Sequence, residues 1–307
     1  MRVPDLGEKQ SHVSGPLSRA AAWPGSGVTG GGLRPLEQVS DSQLARYSRL
    51  IRDRVGVHVS HQKKLLLSNR LRRRLSETGI GSFDAYYRHL SELPAHDDEW
   101  NKFFQAVTTH ETYLFRDESQ WEWFSRVFLK EHAAARRATR RLRVWSAACS
   151  TGDEAYTIAC CVAAHLVNPT AWQIDILGTD IAAGEIERAR EGVFGERAMR
   201  LVPREYHRFF DKDEQAEKWT VRPTLRRMVR FQCHNLMHRL AQRPFDLVFL
   251  KNVLIYFDKE SKRTALDHIA PLVCPGGYLI AGAAEGVAGL TDNFHRVKPW
   301  LYQRTSG

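Results

Sequence analysis

Apolar residues recur along this chain with two different periods, and the change falls near residue 141. From 40 to 131 the spacing is helical. Asp41 can cap a helix carrying Leu44, Tyr47, Leu50 and Ile51. Ser60 can cap a second, with Leu67, Leu71 and Leu75 on one face and Gly79 and Gly81 at its end. Ser82 opens a third with Tyr86, Tyr87 and Leu90. Trp100, Phe103, Phe104 and Val107 mark a fourth, and Trp121, Phe124, Val127 and Phe128 a fifth. Beyond 141, strand-like runs at 142–148, 173–179, 228–233, 245–250 and 276–282 alternate with helical stretches at 153–168, 182–191 and 259–273. That alternation predicts an α/β fold on a doubly wound sheet behind a small all-α domain. Trp300-Leu301-Tyr302 predicts an added antiparallel strand. Residues 193–227 break the alternation and read as an inserted antiparallel hairpin subdomain. The implied domains are a disordered Gly/Pro/Ser-rich tail at 1–36, a helical domain at 37–131, a linker at 132–141 and an α/β domain at 142–307.

Composition narrows the class. The chain has 307 residues, 43% of them hydrophobic, enough for one large core or two smaller ones. It has no apolar run of about 18 residues, so no membrane insertion is expected. The N-terminus lacks the apolar stretch of a signal peptide. Five cysteines lie in or beside apolar runs with no C-x-x-C pattern. They read as buried thiols of a cytoplasmic protein. The formal charge of +10 invites an acidic partner. Residues 61–75 hold Lys63, Lys64, Arg70, Arg72, Arg73 and Arg74 with no acid, and residues 136–143 hold five arginines with none.

The stretch from Val144 to Ile158 carries the first chemical signal. It reads as a buried strand, a loop of small residues (Ala147 to Gly152) and the start of a helix. A second apolar run, Ile174 to Thr179, ends in Asp180. Strand, small-residue loop, helix, strand and acid is how a doubly wound sheet holds a nucleoside, the acid accepting from the ribose hydroxyls. The phosphate-cradling patterns G-x-G-x-x-G and G-x-x-x-x-G-K-[ST] are missing from this loop. Glu154 stands where a pyrophosphate would lie, which repels phosphate and suits an amine. S-adenosylmethionine (SAM) fits that requirement, and no metal is called for. Three further blocks have polar members in apolar surroundings. Thr108 to Asp117 joins the two halves and contains Thr112 and Arg116. Lys251 to Asp258 follows the run 245–250 and contains Asn252 and Tyr256, where residues beyond a parallel strand face the ligand crevice. Asn235-Leu236 ends the run 228–233, where an Asn can read an adenine edge.

Taken together, these blocks resemble CheR-type chemoreceptor glutamate methyltransferases, from about residue 42 to 303. The resemblance implies a class I SAM-dependent methyltransferase fold. By position, His110, Thr112 and Arg116 should meet the amino-acid end of SAM, and Glu154 its amino group. Asp180 should hold the ribose, and Asn235 and Leu236 should flank the adenine. Lys251 and Asn252 should line the pocket, with Tyr256 facing the transferring methyl. Arg116 and Tyr256 are the expected catalytic pair. Departures are Lys251 where Arg is common, Leu114 for Phe, Ala155 for Pro, and Gly282-Ala283-Ala284-Glu285 where Gly-His-Ser-Glu is common. An acceptor glutamate, with an ordinary pKa of about 4.3, is already ionised and needs no general base.

The implied partner is the cytoplasmic helices of a chemoreceptor, met by the basic helix 61–75 with Lys63, Arg70 and Arg74 on one stripe. A monomer is expected. Family members can bind a receptor tail through the inserted subdomain. Here the acidic, glycine-free turn from Asp211 to Lys218 predicts no dependence on that tether. Alternatives are a nucleic-acid methyltransferase and a catalytically silent SAM-binding adaptor. The first is disfavoured, and no nucleic-acid partner expected, because Asn252 is followed by Val-Leu-Ile-Tyr rather than Pro-Pro-aromatic.

Overall fold

A computed structural model describes residues 37–305 except Thr291. The tail expected at 1–36 lies outside the described residues. Four helices come first: α1 (Asp41–Val55), α2 (Lys64–Thr78), α3 (Phe83–Glu92) and α4 (Asp98–Val107). Their apolar faces close on a core containing Tyr47, Ile51, Leu71, Tyr86, Leu90 and Phe103. Ser40, not Asp41, caps α1: its Oγ accepts from Gln43 N at 3.1 Å, while Gln43 Oε1 accepts from Ser40 N at 2.7 Å. This reciprocal pair satisfies two otherwise orphaned donors. Asp41, one residue inside, pairs with Lys64 at 2.7 Å. Ser60 opens a 3₁₀ turn, His61–Lys63, without a side-chain cap bond, and α2 follows from Lys64.

The basic stripe expected on α2 is only partly a surface. Arg74 is 6% exposed, and its Nη2 reaches both oxygens of Glu99 at 2.8 and 2.6 Å. Tyr86 donates to the same carboxylate at 2.6 Å. Arg74 is therefore a tie inside the helical core rather than a partner-facing cation. Arg70 turns toward the α/β side, donating to Val107 O at 2.5 Å and Thr109 Oγ1 at 3.1 Å. Lys63 remains exposed, as do Leu65 and Leu66.

The next helical stretch runs from α5 (Glu118–Trp123) through a π turn (Phe124–Phe128) into α6 (Leu129–Ala135). Two strand–helix steps follow: β1 (Arg141–Ala147) to α7 (Asp153–His165), and β2 (Gln173–Asp180) to α8 (Ala183–Glu191). The insertion holds β3 (Val193–Gly195), α9 (Glu196–Met199), β4 (Phe210–Asp213), β5 (Lys218–Val221) and α10 (Pro223–Arg226). It forms a three-stranded antiparallel sheet, β3-β5-β4, one strand more than the expected hairpin. The chain then continues through β6 (Val229–Cys233), β7 (Phe245–Leu250), α11 (Lys259–Ile269) and β8 (Val273–Ala281). It closes with β9 (Phe294–Lys298) and β10 (Leu301–Arg304).

The main sheet has seven strands in the order β6-β2-β1-β7-β8-β10-β9. The first five are parallel; β10 and β9 run antiparallel. The strand at Leu301 was legible in the sequence, but its partner β9 was not, because only one residue of β9, Phe294, is buried. Strand alternation feeds two cores: Val144, Ile176 and Phe249 on one face, Trp145, Leu177 and Val248 on the other. The chain leaves β1 toward β2 on one side and returns to β7 on the other. That reversal opens a crevice at the carboxyl ends of β1 and β7. Cys149, Cys160 and Cys161 are buried as expected; Cys233, on the edge strand β6, is exposed and Cys274 half-buried. Among the described residues no helix is long and apolar enough to cross a membrane.

Residues from Gln38 onward form one compact unit, and the helices contribute a wall to that crevice. Gly56 makes the junction possible. It ends α1 in the left-handed region, φ 76°, with its N–H donating to Arg52 O at 2.8 Å. A Cβ there would lie 2.6 Å from Met237 Sδ and 2.8 Å from Phe257 Cε2. Gly56→Ala adds left-handed strain to overpacking, so we expect a loss of about 1–3 kcal/mol in unfolding free energy. Urea denaturation checks this; an unchanged midpoint would contradict the close approach.

Candidate active site

The loop after β1 is wound tightly. Ala148, Ser150 and Gly152 all have positive φ, 67°, 49° and 87°. Left-handed turns at non-glycine residues persist only where other contacts fix them. Here Cys149 N donates to Thr179 O at 2.8 Å and Ser150 N to Asp180 Oδ2 at 2.8 Å. Asp180 closes β2 at 5% exposure, and its other oxygen accepts from Ala182 N at 3.0 Å. Each carboxylate oxygen thus accepts one protein N–H and keeps capacity for a further donor.

Glu154 stands in the first turn of α7, and burial raises its carboxyl above the usual range. Two neighbours oppose that rise. Ser146 donates to Oε1 at 2.8 Å, and Lys251 Nζ lies 3.6 Å from Oε2. The Lys251 side chain is 2% exposed. Its ammonium also donates to Arg116 O at 3.1 Å, pairs with Asp117 at 3.2 Å and lies 5.1 Å from the centre of the Trp121 ring. Trp121 Nε1 donates to the same Arg116 oxygen at 2.6 Å. The Arg116 main chain is fixed by these two bonds, while its guanidinium donates to Glu111 O at 3.1 Å beside the Tyr113 ring.

The loop after β7 forms the other lip. Asn252 has φ 59°. Its N–H donates to Glu285, as does that of Ile255 at 3.0 Å. The helical domain meets this loop directly: Val57 bridges Phe257, and His58 N donates to Tyr256 O at 2.7 Å. Lys63 Nζ lies 5.0 Å from the centre of the Tyr256 ring.

One cleft collects every side chain singled out in the sequence: His110, Thr112, Arg116, Glu154, Asp180, Asn235, Leu236, Lys251, Asn252 and Tyr256 all line it. Counted out to its open mouth, the space is about 1320 Å³. Two of these residues are engaged in ways that the sequence did not suggest. Asn235 donates to Arg54 O at 2.7 Å and accepts from Met237 N at 3.0 Å, leaving one N–H and one lone pair for an adenine edge. The His110 ring bonds Thr108 Oγ1 at 2.7 Å. Burial pushes the neighbouring His234 down to about 4, so it is neutral near pH 7. The Cys149 thiol is raised well above its ordinary range by burial, so it is no nucleophile.

Sequence reasoning missed the helical wall of Val57, His58, Lys63 and Arg70, and it missed Glu285. An acid just past the apolar run of β8 was the available signal for Glu285, since carboxyl ends of parallel strands face the crevice.

The donor set suits a nucleoside that carries both an amine and a carboxylate. Three acids (Glu111, Glu154 and Asp180), two arginines (Arg70 and Arg116) and an apolar wall at Leu236 line the cleft, and the β1–α7 loop lacks a phosphate-binding pattern. With this strand order, such a site defines a class I SAM-dependent methyltransferase. Residues 110–301 match the model of the CheR methyltransferase SAM-binding domain, and residues 42–108 that of the CheR methyltransferase all-alpha domain. The chain belongs to the CheR methyltransferase family, and SAM is its cofactor. It is 34% identical to a chemotaxis protein methyltransferase of Escherichia coli K12 over 83% of this chain and 88% of that protein. It is 35% identical to that of Salmonella typhimurium over the same shares, and 33% identical to chemotaxis protein methyltransferase 1 of Pseudomonas aeruginosa over 79% and 89%.

The site also carries a stability cost with a definite sign. Burial pushes the Glu285 carboxyl up to about 7 from an ordinary 4.5, against the pull of the N–H groups of residues 252–255. Between these values the folded protein holds a proton that the unfolded chain releases. The contribution is therefore fully present below the unfolded value of 4.5 and is lost as pH rises through about 7. Glu285→Gln cannot titrate. Its unfolding free energy relative to the parent should shift in the variant's favour as pH rises across that interval. Urea titrations at a series of pH values measure the difference; a constant offset would contradict the assignment.

Proposed function

We propose that the protein methylates glutamate side-chain carboxylates on the cytoplasmic helices of a chemoreceptor, forming methyl esters. The observation that carries this reading is the set of cations around Tyr256. Lys63, Arg70 and Arg116 all line the cleft with it, an environment that draws in an anionic acceptor. Bound SAM supplies an electrophilic methyl group. Arg116, His110 and Thr112 hold the amino-acid end of the cofactor, and Glu154 takes its amine. Asp180 accepts from the ribose hydroxyls, and Asn235 and Leu236 flank the adenine. Lys251 and Asn252 shape the pocket floor and lip. Tyr256 and Arg116 align the acceptor carboxylate. That group is ionised at neutral pH, so these residues orient it and exclude water rather than move a proton.

The exposed face of α2 supports the partner assignment. Lys63 and Arg73 stand on it beside Leu65 and Leu66, so it offers charge and apolar area to an acidic helix. Mass spectrometry of a chemoreceptor cytoplasmic fragment, incubated with the protein and labelled SAM, tests the activity. Label confined to glutamate esters is expected; label absent from glutamates would sink the reading. In the same assay, Lys63→Glu with Arg73→Glu should raise the receptor KM about fivefold or more, with SAM affinity unchanged. An unchanged KM would mean that this face does not meet the receptor.

Asp180 provides the cofactor test. Asp180→Ala removes an ionised acceptor, so SAM binding should weaken by about 1.5–3 kcal/mol, partly through release of the Ser150 N–H. Calorimetry giving the parent affinity in a folded variant would remove Asp180 from the ribose role.

A further inference from the structure

We infer that Glu285 is a positioning residue for methyl transfer, its buried carboxylate fixing the loop that carries Asn252 and Tyr256. The inference rests on the reading that this loop serves the reaction. Glu285 has 0% exposure and lies in a 3₁₀ turn, Ala283–Glu285, just beyond β8. Oε1 accepts from Asn252 N, and Oε2 from Ile255 N at 3.0 Å. The main-chain N–H groups of Val253 and Leu254 add to the pull that opposes the rise of its carboxyl. Two main-chain donors from one turn, Asn252 N and Ile255 N, therefore converge on one anion, and that anion belongs to the chain itself.

That convergence accounts for the shape of the loop. Asn252 sits at φ 59°, a conformation that costs energy in a non-glycine residue and persists only when other contacts over-determine it. From there the chain makes a short turn, with Tyr256 N donating to Val253 O at 3.1 Å and Phe257 N to Leu254 O at 3.0 Å. The turn delivers Tyr256 to the cleft lip against His58 and Lys63. Glu285 is itself immobilised. Lys262 Nζ on α11 donates to its main-chain oxygen at 2.8 Å, and its own N–H donates to Gly282 O at 2.9 Å.

A neutral substitute would not perform this task equally. Charge-assisted bonds are shorter and stronger than neutral ones. A carboxylate accepts on both sides, whereas an amide of the same size would turn an NH₂ group toward one of the two main-chain donors. Ala283 and Ala284 have no polar side-chain atom, so Glu285 is the sole side chain of this turn able to support the loop. It does so without lining the cleft, which separates its role from that of the residues touching SAM or the acceptor.

The test uses the full chain, a receptor fragment and labelled SAM at about pH 8, where Glu285 is ionised. Glu285→Gln should lower kcat about tenfold or more, while the receptor KM and the SAM Kd change less than about threefold. Glu285→Asp keeps the charge but withdraws it by one methylene, so its kcat should fall between the two. A Gln variant within twofold of the parent kcat overturns the inference. So does a loss of kcat matched by an equal loss of SAM affinity, which marks a purely structural role. Hydrogen exchange on the unmodified protein decides the case if neither variant folds. The amides of Asn252 and Ile255 should exchange at least tenfold slower than in an unstructured chain, and exchange at the unstructured rate overturns the inference. Tyr256→Phe isolates the underlying reading. If it turns over normally, the role given to Tyr256 fails; if it is slow while Glu285→Gln is normal, the positioning inference alone fails.

Discussion

A buried ammonium must be satisfied where it stands, and the cleft is organised around that demand at Lys251. Its side chain is 2% exposed, at the carboxyl end of β7. Taking such a charge out of water costs several kcal/mol unless it is paired and hydrogen-bonded. Three separate parts of the chain meet the need: Glu154 from the first turn of α7, Asp117 and the Arg116 carbonyl from the connecting segment, and the face of Trp121 from α5. These contacts tie the segment holding Thr112 and Arg116 to the strand ends holding Asp180 and Asn252. The ammonium also opposes the rise that burial imposes on the Glu154 carboxyl. A lysine in place of the arginine common in the family keeps the charge but presents it as a point rather than a fork.

The second constraint is that the α/β sheet does not complete the cleft. Its loops supply the floor and two lips, and the helical domain supplies the remaining wall. The joint includes the Val57–Phe257 bridge, bonds from His58 to Tyr256 and from Asn235 to Arg54, and Gly56 where no side chain would fit. This arrangement redistributes the basic charge of α2. Arg74 goes to the helical core, Arg70 to the domain junction and Lys63 to the mouth of the cleft. One cationic stretch of sequence thus performs a structural, an architectural and an electrostatic task.

The two carboxylates that shape the lips work by the same physics. Asp180 collects the N–H groups of Ser150 and Ala182, and Glu285 those of Asn252 and Ile255. Each holds a loop containing non-glycine residues at positive φ, Ala148 and Ser150 in one and Asn252 in the other. Strain at the cleft is balanced by buried anions whose own desolvation is offset by main-chain donors. The two differ in what remains: Asp180 borders the cleft and keeps lone pairs for a ligand, whereas Glu285 lies behind it.

Much of this protein was determined locally and could be read from the chain alone. Helices α1 to α4 follow from apolar residues recurring every three to four positions, and the parallel strands from short apolar runs separated by helices. Asp180, Asn235, Lys251, Asn252 and Tyr256 were legible because the carboxyl ends of parallel strands face the crevice, whereas His110, Thr112 and Arg116, in the connecting segment, were legible only through the family resemblance. Tertiary structure decided everything that depends on partners distant in sequence. Asn252 and Glu285 are 33 residues apart, and Lys251 and Arg116 are 135 apart. The local pattern puts Glu285 just past a parallel strand, but nothing in it marks that this acid will be sealed behind a loop. Arg74 reads as a surface cation on helical spacing and becomes buried only because Glu99 and Tyr86 arrive from two other helices. Strand β9 forms because β10 offers it an edge, not because its own residues are apolar. Periodicity reports which face of an element is covered; it carries no record of which charge waits on the other side.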